Sequence, residues 1–324
     1  MNIDIYKEKL EELAFDLKQF DSNKADKDYK ILKQIFDVTY QSGVFDLTKI
    51  DKEELDTYKL ELFKALTKVS GSLAFMAIQI LAANAIMTKN AYSKKEYYIA
   101  KKCGIAINHL RAPLTIVSAD KVDGGYNITG ILTWASGYKI FDTLLIGFHS
   151  DGLEYEAMAS FEVQDGFSIG NADETFVGYG LNTVDIELKS FFVKDEDIVS
   201  SNPIGNYTKV KSASKTVHFC IYALGNYALE YIKDEEFKDI AQSRLEDLQE
   251  KFFHSFDTEE LDSLRIELFN LVLHIISTAM ILNGGKSILA NTNLQRLYKE
   301  MIMFNSNGLN DTLKQLFKSE FIRK

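Results

Sequence analysis

Proline and cysteine are nearly missing: two of each occur in 324 residues. The cysteines, Cys103 and Cys220, cannot build a disulfide framework, and no Cys/His cluster has zinc-like spacing, so no metal is expected. Scarce proline with only 18 glycines excludes a collagenous or low-complexity chain, and 22 Phe with 16 Tyr exclude disorder. Basic charge is short as well. The formal charge of −10 comes without a basic stripe, which excludes wrapping a nucleic-acid backbone. A polyanionic ligand would need a local basic or backbone-amide site. The N-terminus has a mixed-charge amphipathic run and no apolar signal region, so a cytoplasmic, reducing compartment is expected.

One segment lacks charge altogether. Residues 69–88 run twenty positions without a charged side chain, long enough to cross a bilayer. Ser70, Gly71, Ser72, Gln79 and Asn84, the alanine content and the lysines at both flanks favour a buried core helix over a membrane span. Such a helix needs neighbours on every side and implies a helical bundle.

The rest of the chain falls into three blocks: 1–103 helical, 104–206 β and 207–324 helical, an α+β order with the strands gathered in the middle. Leu10, Leu13, Ala14 and Leu17 recur at helical spacing, as do Ile31, Ile35 and Val38, then Tyr58, Leu62 and Ala65. Strands are expected at 114–119, 126–132, 143–148, 156–163 and 184–193, with a hairpin turn at Asp123-Gly124-Gly125. Pro113 and Pro203 bracket the block. Beyond it, Val217, Ile221, Leu224 and Ala228 share a face. Asp257 with Glu260 resembles a capping box opening a helix over 261–282, which stops at Asn283-Gly284-Gly285. Helices over 292–304 and 309–321 follow. His274, inside an apolar run, reads as a hydrogen-bonded core residue, and His218 and Cys220, two apart on one helix, point to different faces and do not form a joint site. Nucleophile triads, P-loops and solenoid repeats do not occur, and Gly178-Tyr179-Gly180 lacks the strand-to-helix context of a dinucleotide fingerprint.

Three strings, in order, resemble the acyl-CoA dehydrogenase superfamily. The hairpin from Ala119-Asp120-Lys121 through Ile128-Thr129-Gly130 leads into Thr133-Trp134-Ala135-Ser136-Gly137, which resembles that family's flavin-facing strand. Residues 185–193 with Asp195-Glu196-Asp197 look like the strand closing its β domain. Ile281-Leu282-Asn283-Gly284-Gly285 and Leu294-Gln295-Arg296-Leu297-Tyr298-Lys299-Glu300 resemble its glycine-pair loop and following helix, with Lys299-Glu300 in place of an Arg-Asp pair. The resemblance implies an N-terminal helical domain, a central antiparallel β-barrel or sandwich and a C-terminal four-helix-bundle-like domain. It implies FAD, with FMN as the alternative, a small-molecule substrate such as an acyl-CoA thioester, and a homo-oligomer, dimer or tetramer. It places Trp134 over one face of the flavin ring and Ser136 at its edge, where an indole and a small hydroxyl suit a flat surface with polar rims. Gly284 and Gly285 would let backbone amides approach a pyrophosphate.

Departures from the family pattern bear on the reaction. The two places where the family keeps its α-proton-abstracting glutamate align with Gly308 and Lys215, and neither is a carboxylate. The arginine that meets the pyrophosphate, after a tyrosine like Tyr231, falls near Glu235, whose charge repels phosphate. Three readings stay open. One is an acyl-CoA dehydrogenase-like oxidoreductase lacking its usual base. Another is a monooxygenase of the same superfamily fed with reduced flavin. The third is a noncatalytic binding or assembly relative. Polar candidates for the chemistry are His109, where the family's β domain opens toward the flavin, and Asn307, near the monooxygenase branch's C-terminal histidine.

Overall fold

The computed structural model describes residues 3–111, 116–172, 174–209, 215–306 and 311–323. The N-terminal helices are α1 (Ile3–Leu17), α2 (Ser22–Ala25), α3 (Tyr29–Gln41), α4 (Leu55–Val69), α5 (Gly71–Lys89) and α6 (Lys95–Ile99). Eight strands follow: β1 (Cys103–Ala106), β2 (Ser118–Val122), β3 (Gly125–Ala135), β4 (Thr143–Ser150), β5 (Leu153–Ser160), β6 (Phe167–Ile169), β7 (Val184–Lys194) and β8 (Ile198–Pro203). The chain closes with α7 (Asn206–Lys209), α8 (Thr216–Leu229), α9 (Glu235–His254), α10 (Thr258–Leu282), α11 (Asn293–Ser306) and α12 (Asp311–Arg323). The α+β order expected from the three blocks is the order observed.

Two compact units emerge. The helical unit comprises Met1–Phe75, Phe176–Gly180 and Ser212–Lys324; the sheet unit comprises Met76–Thr175 and Leu181–Lys211. In the helical unit, α8 packs against α4, α9, α10 and α11. It is buried almost all round, at Phe219, Cys220, Ile221, Leu224, Ala228 and Leu229, as a central helix must be. Aspartates start the helices. Asp21, Asp28, Asp234 and Asp257 each accept a backbone N–H from the first turn they precede, a cap worth ~1 kcal/mol. At α10 the acidic partner differs from a capping box: the Glu260 carboxylate accepts the Ser255 hydroxyl at 2.6 Å.

A buried ion pair ties α11 to the junction of α4 and α5. Arg296 Nη1 lies 2.9 Å from Glu300 Oε2, and the guanidinium also donates to the Thr67 and Lys68 carbonyls at 3.1 and 3.2 Å, closing the C-terminal end of α4. Glu300 Oε1 accepts the Gly71 amide at 2.7 Å. The approach is so close that a Cβ on Gly71 would stand 2.5 Å from Glu300 Cδ. Gly178-Tyr179-Gly180 belongs to the same unit. The Gly178 amide donates to Asp26 Oδ1 at 2.7 Å and the Gly180 amide to the Asp26 carbonyl at 2.6 Å, so this glycine pattern serves a loop docked on α2.

The charge-free run forms α5, whose Leu73, Met76, Ala77, Ile80, Ala83 and Met87 are all buried. It is a core helix, as its composition suggested, and α10 buries most of its apolar face in the same way. Correction comes at His274. Although it sits in the apolar run of α10, it is exposed, because successive residues of a helix turn to different sides. His218 is buried, with Nε2 3.2 Å from the Leu261 carbonyl.

The strands form one mixed sheet in the order β6-β7-β3-β2-β4-β5-β8, with β1 added parallel to β4. Most pairs are antiparallel; β4 is also parallel to β2, at Ser118 and His149. The hairpin lies where its sequence put it: Val122 pairs with Gly125 across Asp123-Gly124, and Gly124 takes φ +73°. Strand β4 is buried on both faces. Leu145 joins Met158, Met87 and Cys103 in one cluster, while Phe148 stacks on Tyr155 with ring centroids 5.1 Å apart.

Two histidines make this unit sensitive to acid. His109 Nε2 lies 2.8 Å from the Gly147 carbonyl, and burial lowers its pKa from the ordinary 6.5; burial lowers that of His149 too. Unfolded, both rings take up protons as the pH falls through ~6.5, whereas folded they do so only lower, so folding stability drops in that window. Glu156, whose carboxyl burial pushes up, acts in the opposite sense. The check is therefore comparative. The thermal midpoint of a His109→Asn/His149→Asn double variant should fall less than that of the parent between pH 7.5 and 5.5.

Candidate functional site

The flavin-facing string forms the end of β3, and a β-bulge shapes it. Leu132 pairs with Ile186 and Ala135 with Val184, so Thr133 and Trp134 together oppose the single residue Asp185. Trp134 takes φ +60°, the left-handed region, which costs a non-glycine residue roughly 1–2 kcal/mol. Its indole is 64% exposed. A strained backbone displaying the chain's one tryptophan to solvent is the kind of feature that marks a binding surface.

Ser136 lies just beyond the bulge and is buried, with Oγ 2.8 Å from Thr183 Oγ1. Either hydroxyl can donate, so the pair can present a donor or an acceptor. Gly137 then turns the chain at φ +89°, its amide donating to the Leu181 carbonyl at 2.7 Å. A side chain cannot stand there: a Cβ would lie 2.2 Å from the Phe141 ring.

His109 occupies a 3-10 turn, 108–111, in the same unit. Its contact with the Gly147 carbonyl assigns the proton to Nε2 in the neutral ring. Asn307 and Gly308 lie outside the described residues.

In the helical unit the glycine pair caps α10. Gly284 takes φ +61°, and a Cβ on either Gly284 or Gly285 would meet nothing within 4 Å, so the backbone stands open. Neighbours fix the loop. Asn283 Nδ2 donates to the Tyr231 carbonyl at 3.0 Å, and Asn293 Nδ2 donates to the Tyr231 hydroxyl at 2.7 Å. The Ser287 hydroxyl is buried without a partner among the described residues. Lys215 is spoken for: Nζ donates to the Phe253 carbonyl at 3.0 Å and pairs with Asp56 at 3.0 Å, over the Phe256 ring. Glu235 sits in the first turn of α9 beside Glu236, behind the Asp234 cap, where carboxylates already answer the helix dipole.

No family model matches the sequence, and no curated protein does. Solved structures match it along almost its whole length. Glutaryl-coenzyme A dehydrogenase in complex with glutaryl-CoA superposes with a TM-score of 0.78 at 12% identity, covering 99% of this chain and 96% of that one. Butyryl-CoA dehydrogenase from Megasphaera elsdenii gives 0.77 at 12%, covering 99% of both chains. The chain has the acyl-CoA dehydrogenase fold. The HsaA monooxygenase from M. tuberculosis shares it less closely, with a TM-score of 0.66 at 13% identity over 98% of this chain and 97% of that one. At such identities the likeness establishes the acyl-CoA dehydrogenase fold alone.

Two residues of the site escaped the sequence reading. Thr183 and Asp185 reach Ser136 and Trp134 only because β7 pairs with β3 across about fifty positions of chain. The Thr-Val-Asp run opening that strand is the only local sign.

Proposed function

We propose that the chain is a flavin-dependent oxidoreductase of the acyl-CoA dehydrogenase kind, acting on a small molecule such as an acyl-CoA thioester. The observation that carries this reading is the Trp134 bulge beside the Ser136–Thr183 hydroxyl pair, on a chain with this fold. An exposed indole and an adjacent hydroxyl fit the ring of a flavin, apolar across its faces and polar at its edge. A bound flavin would supply the two-electron chemistry. Trp134 would cover one ring face, and Ser136 would hydrogen-bond the ring edge with Thr183 taking up its second valence. Gly284 and Gly285 would offer open amides to a diphosphate, and FAD is the proposed cofactor with FMN the alternative.

Neither family position for the α-proton base holds a carboxylate: they align with Lys215 and with Gly308, which lies outside the described residues. Lys215 is locked between Asp56 and the Phe253 carbonyl, so it cannot replace a carboxylate base. That observation favours a second reading, a monooxygenase of the same superfamily, in which no α-proton base is needed and His109 or Asn307 would be the polar group near the substrate. A cytoplasmic homo-oligomer, dimer or tetramer, belongs to the same proposal. Ile281, Leu282, Ile288 and Leu289 stand exposed around the glycine pair, as an interface would use them.

Ser136→Ala tests the site. Loss of one hydrogen bond is worth ~1 kcal/mol, so flavin binding should weaken roughly fivefold, or flavin reduction slow by as much. Unchanged flavin affinity and turnover would remove Ser136 from the site. Bleaching by acyl-CoA thioesters would then separate dehydrogenase from monooxygenase.

A further inference from the structure

We propose that Asp185 is a positioning residue for this surface: its carboxylate holds the Trp134 bulge in the backbone geometry that turns the indole outward. The proposal rests on the flavin reading and deepens it, since Asp185 would act on the ligand through Trp134 and not by touching it.

The argument starts from the bulge. Asp185 is the single residue facing two, and a bulge leaves its extra residue without a ladder partner. Trp134 is that residue, at a positive φ that glycine or asparagine would fill more readily. Its amide donates to Asp185 Oδ1 at 3.3 Å. The main chain of Asp185 faces the other way: its N–H donates to the Asn171 carbonyl and its carbonyl accepts the Gly170 amide, both at 2.8 Å. Only the side chain is left to serve the bulge.

The same strand pair repeats the device. Ile128 pairs with Phe191 and Gly130 with Leu188, so Thr129 alone opposes Lys189 and Ser190. Ser190 takes φ +52°, and its amide donates to Thr129 Oγ1 at 3.2 Å. In both bulges the positive-φ residue gives its N–H to the side chain of the single residue opposite. One bulge displays a serine, the other the only indole in the chain. Holding the backbone this way fixes the direction of a large aromatic side chain before any ligand arrives, which lowers the ordering cost of binding.

The single tryptophan makes the test direct. Trp134 emission anisotropy and acrylamide quenching are measured in the flavin-free protein, then FAD and FMN are titrated into the same samples. Asp185→Ala should lower the anisotropy, increase quenching and weaken flavin binding roughly tenfold, while Asp185→Asn, which keeps an acceptor, should restore both readouts. Thr129→Val, which removes the acceptor of the other bulge, should leave Trp134 emission and flavin affinity as in the parent. An Asp185→Ala protein with parental anisotropy and affinity overturns the proposal. So does one whose anisotropy changes while its flavin affinity does not. If the parent protein itself binds neither flavin, the functional reading fails first, and the parent titration shows it without any variant.

Discussion

Replacing Glu300 by alanine should cost the helical unit about 3–5 kcal/mol, as much as truncating a fully buried aromatic side chain. Glu300 is fully buried, with Arg296 beside it and the Gly71 amide on its other oxygen. Burial pushes its carboxyl upward, against the downward pull of Arg296. Removing the acid strands a guanidinium in the interior and leaves the Gly71 N–H without its acceptor. The urea midpoint followed by far-UV circular dichroism should therefore fall sharply. An Arg296→Met/Glu300→Leu double variant should recover much of the loss, because apolar replacement removes both desolvation costs together. If Glu300→Ala unfolds at the parental midpoint, the pair contributes little and this account of the α4–α5 junction is wrong.

Trp134→Ala should weaken flavin binding by roughly five- to 150-fold, the ~1–3 kcal/mol that stacking on an aromatic side chain is worth. Its effect on folding should be small, within about 0.5 kcal/mol, since the indole is mostly exposed. Trp134→Phe should keep most of the affinity. Flavin fluorescence reads binding in these variants, which lack the indole, and the thermal midpoint reads folding. A large fall in stability with unchanged affinity would turn Trp134 into a structural residue.

Local features were the legible part of this fold. The Asp123-Gly124 turn, the glycine stop after α10 and the Asp257 cap each depend on a few adjacent residues, and each lies where its sequence put it. Long helices were legible in kind but less so in their facing. In α3 the buried positions are Leu32, Ile35, Phe36 and Thr39, so of the expected stripe Ile31, Ile35 and Val38 the middle residue is buried and the outer two are only half-buried. Short strands such as β1, of four residues, and β6, of three, carry too little pattern to separate from loops. Partnerships across the chain were not legible at all. The sequence drew attention to Lys299-Glu300, yet the working partner of Glu300 is Arg296, one helical turn back, and its other contact, Gly71, is 229 residues away. In the candidate site, Trp134 and Ser136 could be picked out from the family-like string, whereas Asp185 and Thr183 needed the register of β3 on β7.

Titrating FAD and FMN into the purified protein, with Trp134 emission and the flavin absorption bands followed together, tests the central claim most directly. Trp134 is the only indole, so any quenching reports from the candidate site itself. A bound flavin predicts saturable quenching with a matching change in the flavin bands. Emission that stays constant through both titrations would contradict the flavin reading and leave a fold kept for binding or assembly.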